Sequence, residues 1–158
     1  MTATSGIRAL VALAIVAATM LVAGCGEKDD YAGDVADIMS PLSDQLQQFG
    51  DDATNATSVD EVTGALDDSD QALGDALGKL EDVDPPDDVA DLNDELTSKL
   101  EDYQDSVEQV NDTIQNGTAQ EAQQAAVDFQ SDSQDFASDL MDLRDRFNDA
   151  GVPFEGES

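Results

Sequence analysis

From Tyr31 onward, apolar residues recur every three or four positions. Tyr31, Val35, Ile38, Leu42, Leu46 and Phe49 make a first stripe, and Val59, Val62, Leu66, Leu73, Ala76, Leu80 and Val83 a second. A third runs through Val89, Leu92, Leu96, Leu100, Tyr103, Val107, Val110 and Ile114. The fourth holds Ala122, Ala126, Phe129, Phe136, Leu140, Leu143 and Phe147. This spacing lays one apolar face along each of four helices. No stretch alternates with period two, so the expected class is all-α.

The residues between the stripes place the helix ends. Gly50 closes the first segment, and Asp51 to Thr57 reads as a polar loop. Pro41 lies inside that segment and should kink or divide it, since proline removes a backbone donor and crowds the preceding turn. Ser58 with Glu61, and Thr118 with Glu121, have the spacing of capping boxes, which satisfy two orphan amides at a helix start. Asp84-Pro85-Pro86 ends the second helix, because a residue before proline avoids the helical region. The third helix should start near Pro86 and stop at Asn116-Gly117, and the fourth should stop at Gly151. Connections of a few residues make neighbours antiparallel. The narrow stripes favour shallow, coiled-coil-like crossings near 20°. The expectation is an elongated antiparallel up-down four-helix bundle over residues 31–151, with a flexible tail at 152–158.

Charge narrows the functions available. The chain has 37 Asp plus Glu against 6 Lys plus Arg, a formal charge of −31, which argues against a nucleic-acid partner. It has no His, which removes His-ligated metals and a His general base. A single Cys makes an intramolecular disulfide impossible.

That Cys sits at an informative place. Arg8 precedes an apolar run, Ala9 to Ala23, broken only by Thr19, and Gly24, Cys25 and Gly26 follow. A charged start, an apolar run and small residues are the parts of a secretory signal, and the run is short for a spanning helix. Val22-Ala23-Gly24-Cys25 resembles the lipobox of bacterial lipoproteins, with Val22 where Leu is most usual. The resemblance covers the first 25 residues or so. It implies a thioether from the Cys25 sulfur to diacylglycerol and cleavage between Gly24 and Cys25. Residues 1–24 would then be a lipoprotein signal peptide and 25–30 a lipidated tether. The acidic helices that follow are similar to small acidic helical lipoproteins of actinobacteria, a likeness of composition that names no activity. Such a protein would be held on the outer face of the bacterial cytoplasmic membrane after general secretion, with membrane contact through the diacylglycerol on Cys25.

The acids themselves read as a solvated face. The clusters Asp67-Asp68-Ser69-Asp70 and Asp82-Val83-Asp84 with Asp87-Asp88 miss the calcium-loop spacing, so any divalent-cation association should be weak and diffuse, with no metal site. Like charges four apart, such as Asp84 with Asp88 and Asp87 with Asp91, oppose helix formation. Their mutual repulsion is expected to raise carboxylate pKa values on folding. No catalytic motif is present, no acid occupies a stripe position, and no cofactor is implied. Tyr31 and Tyr103 read as core or rim residues. Ser69 and Ser133 interrupt two stripes and read as tolerated or as a polar layer. Two functions are carried forward: a non-catalytic, lipid-anchored spacer or protein-interaction module with an unspecified protein partner, and a small-ligand or divalent-cation module using the bundle interior or acidic face.

Overall fold

The computed structural model describes residues 26–152. They form four helices: α1 Glu27–Asn55, α2 Val59–Leu80, α3 Ala90–Asn116 and α4 Ala119–Asp149. Both capping boxes form. Ser58 Oγ accepts from the Glu61 amide at 3.3 Å while Glu61 accepts from the Ser58 amide at 3.2 Å. Thr118 and Glu121 repeat the exchange at 3.3 and 2.8 Å.

The helices differ from the sequence expectation in five places. α1 begins at Glu27, so Glu27 to Asp30 belong to the helix and not to a tether. Glu27, Asp29 and Asp30 occupy its first turn, where negative charge meets the positive end of the helix dipole. α1 also continues through the expected loop to Asn55, because Ala53 packs on the core one turn beyond Phe49. Pro41 does not divide α1. Its exposed position leaves the lost backbone bond on the solvent side, while Ile38 and Leu42 on either side are buried. The α2–α3 connection is longer than expected, spanning 81–89: α2 stops at Leu80, and the amides of Asp82 and Val83 make turn bonds to Lys79 O and Leu80 O, each at 3.2 Å.

The fifth difference is at the far end of α4. Gly151 has φ +84°, the left-handed conformation that glycine adopts without cost. The Val152 amide bonds back to Phe147 O at 2.9 Å and the Gly151 amide to Asn148 O at 3.0 Å. This is a Schellman stop, and its usual apolar contact comes from Val152, which is fully buried. Val152 is therefore part of the fold, not of a flexible tail; 153–158 lie outside the described residues. Gly117 ends α3 for a different reason: a Cβ there would meet Thr113 O at 2.5 Å.

The helices run up and down. Tyr31 at the start of α1 meets Phe147 at the end of α4, with ring centroids 6.1 Å apart. Phe49, late in α1, meets Phe129, early in α4, at 6.0 Å. We call the end where α1 and α3 begin and α2 and α4 finish the base, and the end with the connections 56–58 and 117–118 the tip. The four stripes converge on one core, with Leu73, Leu100, Val89 and Val107 almost fully buried. Three stripe positions fall outside it: Val59 is about half exposed at the first turn of α2, and in α4 Ala125, rather than Ala122 or Ala126, packs on the core. Backbones of consecutive helices pack closely, whereas α1 and α4 stay further apart and meet through side chains.

Candidate functional site

Gly24 and Cys25 lie outside the described residues. The next residue, Gly26, caps α1, and its carbonyl accepts from the Asp29 and Asp30 amides at 3.0 and 3.1 Å. Two residues on, Lys28 reaches across the base. Its ammonium bonds the Asp88 carboxylate in the α2–α3 connection and Ala150 O at 2.6 Å. The second acceptor is a terminal carbonyl of α4, the negative end of that helix dipole. One side chain thus joins α1, the α2–α3 connection and α4.

The interior carries two buried polar pairs, each one phenol with one small partner. The Tyr31 hydroxyl donates to Asn93 Oδ1 at 3.0 Å. Tyr103 OH and Ser133 Oγ are 3.3 Å apart. Burial pushes both phenols up in pKa, with the Ser133 bond partly opposing this at Tyr103. Both tyrosines are core residues, and both serines are buried on the core side. The second serine, Ser69, donates to Ala65 O one turn back, at 3.0 Å. Asn93 is hidden in the sequence because its neighbour Leu92 fits the same stripe. A polar residue four positions after Val89 was the available signal.

The acidic clusters do not converge. Asp67 accepts from Asn111 and Asp70 from Gln104, both on α3, while Asp68 faces α1. Asp88 is held by Lys28. Among the described residues no group of three or more His, Cys, Asp or Glu could hold a metal ion. An open groove of about 230 Å³ lies between α1 and α2. Gln45, Gln48, Asp52, Asp68, Gln71 and Asp75 surround it, over a floor that includes Phe49 and Ser69. The exposed large apolar residues Val59, Val127 and Met141 are spread over two helices, a scatter ordinary for a protein surface.

Carboxylates with displaced pKa values move opposite to the expectation of repulsion. Backbone amides hold Glu61 and Glu121 below the usual range at the two caps, chiefly from Thr57 and Thr118. Hydrogen bonds from Lys28 and Arg146 do the same for Asp88 and Glu95. Local donors outweigh the like charges nearby at these four positions.

No protein-family model, curated protein or solved structure matches the chain.

Proposed function

We propose that this protein is a lipid-anchored, non-catalytic spacer or interaction module of a bacterial envelope. It is held at the outer face of the cytoplasmic membrane through diacylglycerol on Cys25. The observation that carries the reading is the chain's single cysteine at the end of Val22-Ala23-Gly24-Cys25, directly after an apolar run. A thiol is the side chain best suited to alkylation, and two acyl chains anchor stably where one binds marginally. The described helices fit the role of a body outside the bilayer, since none is long and apolar enough to cross a membrane. The test is Cys25→Ala in a bacterial host fed labelled palmitate. The variant should remain an unprocessed precursor without label. Normal processing and membrane retention of the variant would sink the lipoprotein reading.

A second reading takes the α1–α2 groove as a site for a small polar or cationic ligand, because three carboxylates and three carboxamides line it. Saturable, stoichiometric heat on titration with a candidate ligand, lost in Asp68→Asn with Gln71→Ala, would favour it.

A further inference from the structure

The chain has five asparagines, at 55, 93, 111, 116 and 148, and only Asn116 is followed by glycine. With no Cβ beside it, the Gly117 amide can come close to the Asn116 carboxamide. The pair sits where α3 ends and the tight connection to α4 begins, and both residues are exposed. The fold requires the glycine, because a Cβ there would meet Thr113 O at 2.5 Å. The stop of α3 and a chemically labile dipeptide are thus the same two residues.

Two hydrogen bonds hold the pair in an unreactive form. The Gly117 amide donates to Thr113 O at 2.9 Å, and Asn116 Nδ2 donates to Asp112 Oδ1 at 2.8 Å. Attack needs the Gly117 nitrogen free of its proton and turned to Asn116 Cγ, so the first bond has to break. The turn is weakly fastened. α3 has no basic residue in its last turn to meet the negative end of its dipole, and residues 115–117 are exposed. Opening an exposed terminal turn costs far less than unfolding the whole bundle. The other asparagines differ. Asn93 is buried and accepts from Tyr31, while Asn55, Asn111 and Asn148 precede Ala56, Asp112 and Asp149, each with a Cβ in the way.

We infer that Asn116 is a site of spontaneous deamidation, admitted by opening of the last turn of α3, and that the product cannot refasten that turn. The Gly117 nitrogen bonds to Asn116 Cγ, the bond from Cγ to the carboxamide nitrogen breaks, and that nitrogen leaves as ammonia with the proton from the Gly117 amide. Water then opens the five-membered imide at either carbonyl. One opening gives aspartate, the other isoaspartate, with the backbone rerouted through the side chain. Both replace the donor to Asp112 by a carboxylate four residues on from it, a repulsive spacing, at the negative end of the helix dipole. Isoaspartate also adds a carbon to the main chain just before the Thr118 cap, whose amide and hydroxyl both bond Glu121. None of this chemistry depends on the lipid anchor.

The experiment ages the folded full chain in neutral buffer at physiological temperature, against an unaged control. Peptide mass spectrometry follows amide-to-acid conversion at each asparagine, and isoaspartate methyltransferase counts isoaspartate. Conversion at Asn116 should exceed that at every other asparagine by an order of magnitude, mostly as isoaspartate, and Asn116→Gln should remove the methyl acceptor. Conversion at Asn116 no greater than elsewhere overturns the inference. The same chain kept unfolded in urea should convert several-fold faster, and the Gly117 amide of the folded chain should exchange faster than those of Val107 and Val110. Equal conversion folded and unfolded would mean that the Thr113 bond holds nothing back, and the opening step would fall. The aged chain and the variant Asn116→Asp should both melt below the parent, the aged chain lower of the two. Melting temperatures equal to the parent's would show that the turn refastens, which also overturns the inference.

Discussion

α4 has two neighbours and treats them differently. Against α3 it makes close, parallel ring contacts: Tyr103 stacks on Phe136 with centroids 4.2 Å apart and planes within 2°. A buried hydroxyl pair and ion pairs from Lys99 and Arg146 flank this stack. Against α1 the backbones stand apart, and the ring contacts are tilted or edge-on, at about 6 Å, near the two ends. The α3–α4 seam follows one tight turn, so its contacts are close in sequence. The α1–α4 seam joins the first helix to the last and depends on a few long-range contacts. The bundle is thus closed on three sides by continuous packing and on the fourth by rings at its ends and the Lys28 bridge.

The largest effects should come from the rings. Phe136→Ala and Phe147→Ala should each cost about 3–5 kcal/mol, measured as a lower urea midpoint. Their patterns should differ. Phe147→Ala should speed amide exchange in the first turns of α1 well before α3 is affected. Phe136→Ala should lower protection in α3 and α4 together. If α1 and α3 respond alike to both, the two seams are one cooperative unit and the contrast is wrong.

The buried hydroxyls offer a sharper probe. Tyr31→Phe leaves Asn93 Oδ1 without its donor, at a cost of about 1–3 kcal/mol. Tyr103→Phe strands only a serine hydroxyl, which can turn to a carbonyl of its own helix as Ser69 does. Its cost should be smaller, about 1 kcal/mol. Thermal melts of both variants against the parent will order them, and the reverse order would mean that Asn93 finds another donor.

Gly151→Ala comes next, at about 1–2 kcal/mol, for placing a side chain in the left-handed region. A methyl group added at Gly151 would lie no closer than 3.8 Å to its nearest neighbour, Lys28 Nζ, so the penalty is confined to the backbone. The melting temperature of the variant should fall modestly, and loss of the Val152 contact should show as faster exchange at the end of α4.

Acid should have the smallest effect. Glu61, Glu121, Asp88 and Glu95 are more acidic folded than unfolded. Their contribution is present above the ordinary carboxylate pKa and is lost as pH falls through the depressed values. These groups are exposed and the gain is screened. The melting temperature should therefore decline gently on acidification below the carboxylate range, and Glu61→Gln with Glu121→Gln should flatten that decline. An unaltered slope would place the acid sensitivity elsewhere.

Much of this architecture was legible in the sequence because the stripes are long and the two capping boxes are local. Leu66 to Leu80 and Leu96 to Val110 sit in the core where their spacing puts them. The helix ends were harder to read. Ala53 extends α1, and Val152 is buried by the Schellman turn; both depend on what lies across the core, which local spacing does not record. The Lys28 bridge joins positions 60 and 122 residues apart, so no local pattern announces it. The proposal for Cys25 differs, since it rests entirely on the residues just before it.

The two capping boxes have a consequence in time. Each sits at a tight connection at the tip, so α1–α2 and α3–α4 are hairpins whose first contacts are only a few residues apart. Such contacts close on the microsecond scale or faster, while distant ones wait for larger stretches of chain to order. The joint 81–89, with no side-chain cap on α3 and with Val89 plugged into the core, can form only when both hairpins are there to receive it. Folding then proceeds as two zippers that start at the tip and a late docking at the base. In a chevron analysis, Ser58→Ala and Thr118→Ala should slow refolding, whereas Val89→Ala should mainly hasten unfolding.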